Sequence, residues 1–528
     1  MPDRISTDCL GLCLKTRKAK AAFGDVMPGP SDSLPVLDLV VICAYILGIV
    51  VFGAWFYRKS GTLEGFTVGS RNLPGWAIGL SILATYLSSI SFLALPGTSY
   101  PGTWNAFVFS LTVPIACWVS ARYFIPLYRG TLQTTAYEHL EFRFGYWARA
   151  YCGVALILLQ IGRIAVVLYL VSLAMNQLLG WNIVAVILIL GFLTILYTVV
   201  GGIEAVIWTD VVQAIVLLGG GIVCAGLLLI RMPGGAGEAI STAWDQGKFS
   251  LGGWDFNLAM QGFWVVFIFG IVDNLRNFGV DQNFVQRFLA AKSESEARKS
   301  LWLGGLLYVP VSALFLLIGT LLFLYYGALE QTPQGFPAEG DKVFPFFIVS
   351  ELPAGFTGLV IAGVMAAGMS TLDSSINVSA TVFTVDFYKR LAAGPANDAK
   401  LLNVTRWSSV VFGILGTLAS LLMITQKSVL DVWWKFSSIF GGAMLGLFLV
   451  GIVVRNATSF GAILGAIAGV LVIVWGTLFP HLADNTAWHR FPFHANMIGP
   501  ISTLAIVATA WLASFIRAPS TKESERDR

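Results

Sequence analysis

Residues 362–384 read AGVMAAGMSTLDSSINVSATVFT. The stretch is mostly apolar and long enough to cross a bilayer, since about 20 helical residues span the hydrocarbon core. A polar cluster lies at its centre, within about one helical turn: Ser370, Thr371, Asp373 and Ser374. Polar groups in a membrane are costly unless they face a protein interior or a wet cavity. The stretch therefore predicts an ion or substrate site inside a membrane protein.

The composition of the whole chain is that of a polytopic membrane protein. Its 528 residues are 56% hydrophobic and only 12% charged, whereas soluble domains carry roughly a quarter charged residues. Apolar runs of transmembrane length lie at about 36–57, 74–97, 105–127, 150–179, 183–200, 205–231, 260–285, 303–325, 345–384, 404–424, 433–453, 459–479 and 498–516. The run 345–384 holds a short helix before the long one. We predict an all-α membrane protein with about thirteen transmembrane helices.

The distribution of charge predicts the orientation in the membrane. A net charge of +4 argues against nucleic-acid binding. One alternating set of loops is rich in basic residues: Arg58, Lys59, Arg71, Arg129, Arg143, Arg149, Arg287, Lys292, Arg298, Lys299, Lys389, Arg390, Lys400, Arg455 and Arg517. The other set holds Arg231, Lys248, Lys342, Lys427 and Arg490. Basic loops are cytoplasmic, so an odd number of helices places the N-terminus outside and the C-terminus inside a plasma (inner) membrane.

The chain divides into two tails and one transporter domain. Residues 1–33 carry five basic residues and no apolar signal-peptide core. That charge is unusual for a translocated tail, and we interpret Met27 as the true start. Residues 34–518 form the membrane domain and 519–528 a cytoplasmic tail. No phosphate-binding P-loop, nucleophile elbow or HExxH zinc motif occurs in the sequence, and we expect no enzyme activity.

The segment 74–97, LPGWAIGLSILATYLSSISFLALP, is polar at its centre. Five of the eight residues 84–91 are polar: Thr85, Tyr86, Ser88, Ser89 and Ser91. A single serine in a membrane helix commonly bonds to its own backbone or to a neighbouring helix. Five polar residues in eight indicate instead a locally unwound helix that lines a cavity, as in secondary transporters.

Three further charged positions lie in apolar segments. Arg163, in LLQIGRIAVVLYL (158–170), is too far from either helix end to reach water. Its guanidinium either binds a carboxylate or another anion, or pairs with an internal aspartate. Asp210 begins the sixth segment, where the helix dipole also favours a carboxylate. Asp273 and Arg276 share a helical face and are expected to neutralise one another, with a role in substrate binding as the alternative.

The polar cluster of 362–384 has the chemistry of a hard-cation site. Ala367, Ser370, Thr371 and Ser374 form one stripe at helical spacing, with Asp373 beside it. Hydroxyl, carboxylate and carbonyl oxygens suit Na⁺ better than a soft metal.

Several motifs together resemble the sodium:solute symporter family over about residues 37–516. They are NLPGWAIGLSILATYLSSISF (72–92), TTAYEHLEFRF (134–144), GGIEAVIWTDVVQ (201–213), VQRFLAAKS (285–293) and 362–390, which ends in DFYKR. Among its branches the bacterial sialic acid transporters are the most similar in these motifs. The resemblance implies a leucine-transporter-type five-plus-five inverted repeat. Its repeats would lie at about 74–231 and 260–453.

The resemblance also implies two cation sites. Backbone carbonyls of Ala84, Leu87 and Ala367 and the hydroxyls of Ser370 and Thr371 would bind Na⁺. A second sodium site would use Asp210, Ser370 and Ser374, together with Asp373. The sialic acid branch has a serine at position 373, so the extra carboxylate predicts either a tighter second cation site or a proton-linked group. We favour the cation site.

The implied substrate site matches the sialic acid branch in part. Ser88, Ser89, Ser91 and Arg163 fit its pattern, with Arg163 in the carboxylate-binding role. Tyr86, Ala106 and Ser110 depart from it, so the pocket shape differs.

The expected function is sodium-coupled symport of a small organic solute by alternating access, with sialic acid as one candidate. A neutral sugar or other neutral solute, with Arg163 paired internally, is the alternative. A membrane sensor would need a large cytoplasmic domain after the last helix, and a membrane-embedded enzyme would use the carboxylates as acid and base. No obligate protein partner is implied beyond the lipid bilayer.

Overall fold

The computed structural model describes residues 35–56, 60–130, 134–232, 234–329, 331, 333, 335–391, 397–425, 429–454, 456–477 and 491–516. Within these ranges the chain folds into helices joined by loops. The predicted N-terminal tail, with Met27, and the predicted C-terminal tail 519–528 lie outside the described residues.

The main helices follow the apolar runs of the sequence. In chain order they are α1 (Val36–Trp55), α2 (Gly75–Tyr86), α3 (Ser89–Ser99), α4 (Trp104–Gly130), α5 (Tyr146–Leu179), α6 (Ile183–Arg231), α7 (Phe263–Val280), α8 (Gln282–Ala290), α9 (Glu294–Gly327), α10 (Gly340–Glu351), α11 (Phe356–Val382), α12 (Asp398–Met423), α13 (Val429–Val453), α14 (Ser459–Thr477) and α15 (Ile498–Ile516). As predicted, the short helix α10 precedes the long helix α11.

The described part of the chain holds the thirteen predicted membrane spans. Ten helices are long and apolar enough to cross a bilayer, and the bent pair α2–α3 makes an eleventh span. The helix α6 has 49 residues, about 73 Å, and is broken at Gly202 (φ 60°, ψ −160°). It therefore supplies two spans, and the 25-residue α13 completes the set.

Two of the spans are interrupted where the two predicted repeats begin. The helix α2 ends at Tyr86, Leu87 and Ser88 are extended, and α3 leaves at 57°. The helix α7 ends at Val280, Asp281 is extended (φ −68°, ψ 121°), and α8 follows. The unwinding predicted within 74–97 is thus confirmed, and it frees backbone carbonyls that an intact helix would use internally.

The helix α11 lies at the centre of the fold. In its most apolar stretch of 18 residues, 94% of the residues are buried. The helix packs against α1, α2, α5 and α6. The carboxylate of Asp38 on α1 accepts hydrogen bonds from the backbone N–H groups of Gly355 (2.7 Å) and Gly358 (2.6 Å). Asp38 thus caps α11 from a neighbouring helix and fixes its N-terminal end.

The short helix α8 is polar and yet completely buried. Its Gln286 donates to the carbonyl of Thr67 (2.5 Å) and to Asn377 on α11 (2.7 Å). The assignment of Arg287 to a cytoplasmic loop is therefore wrong, because its side chain is 0% exposed. A polar helix can be buried in this way when its side chains are hydrogen-bonded by the surrounding helices.

Motifs 134–144 and 386–390 are joined by ion pairs at the predicted cytoplasmic end. Arg149, also assigned to a loop, is buried and contacts Asp386 (2.6 Å) and Glu141 (2.7 Å). Glu141 also binds Arg390 (2.8 Å). These pairs tie the end of α11 to the chain before α5.

Candidate functional site

The broken helix α2 meets α11 through the residues of the predicted first sodium site. The Ser370 hydroxyl lies 3.1 Å from the Ala84 carbonyl and 3.3 Å from the Ala367 carbonyl. The Thr371 hydroxyl donates to the same Ala367 carbonyl (3.2 Å). Leu87, buried, is the first extended residue after α2.

The oxygens of this cluster are neutral and hard. They are backbone carbonyls and hydroxyls, the ligand type that hard cations prefer. In this structure the hydroxyl groups donate hydrogen bonds to the carbonyl oxygens. To bind a cation, the hydroxyl and carbonyl oxygens would direct lone pairs toward it, and the hydroxyl protons would turn away. Ala84, Ala367, Ser370 and Thr371 are thus adjacent, Leu87 follows α2 directly, and sodium binding by these residues stays a prediction.

The residues of the predicted second site surround a buried guanidinium. Nη2 of Arg287 donates to Oδ2 of Asp210 (2.7 Å) and to the Ser374 hydroxyl (2.7 Å). Nε donates to the Ser81 hydroxyl (2.7 Å), which donates to Asp210 (2.5 Å). Arg287 thereby links α8 to α2, α6 and α11. A cation at this site would share Asp210 and Ser374 with an arginine.

Asp373 lies next to this cluster without contacting the guanidinium. Its Oδ2 accepts a hydrogen bond from Tyr197 (2.8 Å), while Oδ1 is 3.3 Å from the Ser374 hydroxyl. That hydroxyl lies closer to the Ser370 carbonyl (2.7 Å). Among the described residues, Oδ1 of Asp210 has no hydrogen-bond partner.

The charges of the cluster do not cancel. Asp210, Asp373 and Arg287 are each 0% exposed, and in the part of the chain that is described this cluster holds two carboxylates and one arginine. An uncompensated buried charge is strongly unfavourable. One additional monovalent cation, or one proton, would balance it.

Arg163 lies at the break of the second span. Its Nη2 donates to the Thr85 carbonyl (3.0 Å), one residue before the end of α2. Ser88 and Ser91 are half-buried nearby in sequence, and the side chain of Ser89 lies outside the described residues. Of the predicted substrate residues whose side chains are described, Ser88 lies in the break, Ser91 lies in the first turn of α3, and Arg163 contacts the end of α2.

Asp273 and Asp281 are the carboxylates that attract the charge of Arg163, and both are bound to another arginine. Arg276 contacts Asp273 (2.9 Å) and Asp281 (3.7 Å), which confirms that Asp273 and Arg276 neutralise one another. Asp281 also accepts from the Asn283 backbone (2.9 Å). Arg163 makes no ion pair with any side chain that the structure describes, in contrast to the internal pair that was the alternative.

Sequence reasoning missed Arg287 and Tyr197 as parts of the site. Arg287 follows an apolar run and was counted as a loop charge, although Gln282 and Gln286 before it stand at the i, i+4 spacing of a helix. That spacing was the available signal. Tyr197 gave none, because a tyrosine in an apolar helix is commonly a core residue.

Comparison with known proteins agrees with this architecture. The model of the sodium:solute symporter family matches residues 66–469. The chain is 32% identical over 498 residues to the sodium/sialic acid symporter SiaT of Proteus mirabilis, covering 93% of this chain and 97% of the relative. It is 29% identical over 489 residues to the human sodium-coupled monocarboxylate transporter 1, covering 89% and 77%.

A solved structure extends the likeness to three dimensions. It is a sodium-coupled sialic acid symporter in a substrate-bound, outward-open state, with a TM-score of 0.84 and 29% identity. The match covers 92% of this chain and 99% of that one. The predicted all-helical fold of the leucine-transporter type is thereby confirmed. On this evidence the chain belongs to the sodium:solute symporter family.

Proposed function

We propose that this symporter imports a small organic solute that carries a carboxylate. Sodium coupling and solute transport come with membership of the family. The carboxylate is inferred from one observation, the guanidinium of Arg163 held at the broken helix with most of its donors unused.

The donor count of Arg163 carries the proposal. A guanidinium has five N–H donors in a planar fork that matches a carboxylate. Among the described residues it makes one hydrogen bond, to a backbone carbonyl. Arg163 is half-buried in a membrane protein, where N–H donors without acceptors are energetically costly. A substrate carboxylate would supply two acceptor oxygens at once.

Sodium would act by joining the two elements of the first site. Ala84 and Leu87 belong to the broken second span, and Ser370 and Thr371 to α11. A cation between them stabilises the arrangement in which these helices are held together, and its release to a low-sodium cytoplasm favours the other arrangement. That differential binding of a ligand to two states is the basis of alternating access.

The number of sodium ions coupled to each substrate sets the free energy available for accumulating that substrate. A charge moving down 100 mV yields about 2.3 kcal/mol, and a tenfold gradient about 1.4 kcal/mol. One Na⁺ with a monoanion nets about 1.4 kcal/mol, and two Na⁺ roughly 5 kcal/mol. The excess negative charge around Asp210 and Asp373 supports the second ion, with Asp373 rather than the arginine-bound Asp210 as its main ligand.

The relatives supply candidate substrates. SiaT is described as a sodium/sialic acid symporter, so sialic acid is one carboxylate to test. We propose a plasma-membrane location with the N-terminus outside, as the basic loops indicate.

Uptake into proteoliposomes tests the proposal. With an inward sodium gradient, we expect the protein to accumulate at least one acid from a panel of sialic acid, sugars, amino acids and monocarboxylates. The Arg163→Ala variant should lose that uptake while sodium still raises its melting temperature, which shows that it is folded. Unchanged uptake of the acid by Arg163→Ala would rule out the carboxylate role.

A further inference from the structure

A groove of about 450 Å³ lies between α5 and α14. Trp147 and Tyr151 of α5 form one wall, and five residues of α14 between Ile463 and Leu471 form the other. Among the described residues, only apolar atoms line its surface. Its volume falls in the range of small-molecule sites, about 300–1,000 Å³. The groove is therefore large enough to bind a ligand, and that ligand must be apolar.

The two helices are joined at the predicted cytoplasmic end of the groove. Nε1 of Trp147 donates to the Ser459 hydroxyl (2.9 Å), and this hydroxyl donates to the Phe144 carbonyl (2.9 Å). Beyond this link α14 packs against α13 and α15. Gly465 faces α15 so closely that an added Cβ would lie 2.7 Å from the Ile506 carbonyl. The groove is the space that this packing leaves between α14 and α5.

The groove belongs to the lipid-facing surface of the molecule. Its residues Ile467 and Leu471 are 51% and 62% exposed, although both helices are membrane spans. Val154 and Leu158, further along α5, are exposed as well. Large apolar side chains that are exposed together mark a contact surface for lipid or protein. The groove is thus continuous with the surface that the bilayer covers.

The depth of the groove corresponds to one leaflet. Ile463 to Leu471 covers about 12 Å along α14, close to the cytoplasmic start of this helix at Ser459. One leaflet contributes about 15 Å of hydrocarbon. A second copy of this chain would present helices that cross both leaflets, about 30 Å, and so would extend far beyond the groove. An acyl chain of the inner leaflet has the right chemistry and the right depth.

We infer that this groove binds one acyl chain of an inner-leaflet phospholipid, which is held as a structural lipid between α5 and α14. The apolar walls recognise the chain and leave the headgroup free, so phospholipids with different headgroups bind alike. The chain leaves lipid for an equally apolar groove, and its stabilisation comes from van der Waals packing. The site is separate from the proposed cation and substrate sites.

Native mass spectrometry of the full chain tests this inference. After extraction from vesicles of phosphatidylethanolamine and phosphatidylglycerol, we expect one phospholipid of either kind to stay bound to each chain. Ala466→Trp places a ring in the floor of the groove and should lower this occupancy at least about tenfold. Ile467→Trp fills the groove from an exposed position and should have the same effect even if Ala466→Trp does not fold.

Leu504→Trp on α15 is the matched control. It adds the same ring at an exposed position outside the groove and should keep the lipid. Sodium should raise the melting temperature of every variant, which shows that each is folded. Phospholipid returned to delipidated protein should raise the melting temperature of the wild type and of Leu504→Trp, and of neither groove variant.

Four outcomes would overturn the inference. They are a wild type that retains no phospholipid, folded groove variants that retain it at the wild-type level, retention of phosphatidylglycerol alone, and a mass of two chains that Ile467→Trp reduces to one. The last outcome would assign the groove to a second copy of this chain. Sodium-coupled import by the protein does not depend on any of these results.

Discussion

Ser370 is the residue shared by the two proposed cation sites. Its hydroxyl reaches the Ala84 and Ala367 carbonyls, and its own carbonyl accepts from Ser374, which contacts Arg287. A substitution of Ser370 would therefore disturb both sites. Thr371 and Asp373 each belong to one site and separate the two.

Thr371→Ala tests the first site alone. The variant loses one hydroxyl ligand, a contact of about 1.5–3 kcal/mol with a charged partner, so we expect the half-saturating sodium concentration for uptake to rise at least about tenfold. The matched control is Ser379→Ala on the same helix, whose hydroxyl bonds to the Ser375 carbonyl (2.7 Å). Its sodium dependence should match the wild type. An unchanged sodium dependence in Thr371→Ala would remove that hydroxyl from the site.

Asp373→Ser tests the second site. With two sodium ions coupled to uptake, the Hill coefficient for sodium approaches two, and loss of the Asp373 ligand should lower it toward about one. Tyr197→Phe, which keeps the carboxylate but removes its donor, should have the smaller effect. If the Hill coefficient is unchanged and Asp373→Ser instead abolishes a pH dependence of uptake, the carboxylate is proton-linked and the cation assignment is wrong.

At the scale of the element, breaks in helices decide where ligands can bind. The break in the second span exposes carbonyls beside α11, and the break at Asp281 turns α8 so that Arg287 reaches Asp210 (2.7 Å). The break at Gly202 differs from these two, because it separates two spans of α6. Gly202 lies against Phe66.

Gly202→Ala tests the break in α6. The backbone angles of Gly202 lie in a region that is nearly exclusive to glycine, and an added Cβ would come within 3.0 Å of the Phe66 backbone. We expect a loss of stability of about 1–3 kcal/mol, measured as a lower melting temperature in detergent. Gly219→Ala in the same helix is the control, because no atom lies within 4 Å of its added Cβ. Equal melting temperatures for the two variants would contradict this explanation of the break.

Elements were predictable from sequence where hydropathy alone decides them. The spans follow from apolar runs, and the unwound second span follows from five polar residues among 84–91. The helix α8 was not predictable in this way, because its burial depends on partners such as Thr67 and Asn377 that are distant in sequence. A hydropathy pattern predicts a loop for such a segment, and Arg287 was therefore assigned to a loop.

At the scale of the whole molecule, the fold brings two repeats together so that one broken helix from each lies near α11. That Ala84 lies against Ser370 was predictable, because the motifs around these two residues resemble those of the family. The pairing of Arg276 with Asp273 was predictable from their helical spacing. That Arg163 has no ion-pair partner among the described side chains was not predictable. A guanidinium in an apolar helix gives no sign of its partner until the opposing helices are placed.

The most direct test is accumulation of a labelled carboxylate solute, chosen from the panel of acids named above, by proteoliposomes under an inward sodium gradient, compared with potassium in place of sodium. We predict accumulation above the equilibrium level with sodium only, lost when an ionophore dissipates the gradient, and lost in Arg163→Ala. Equal accumulation with potassium, or accumulation that survives dissipation of the gradient, would contradict sodium-coupled import of a carboxylate.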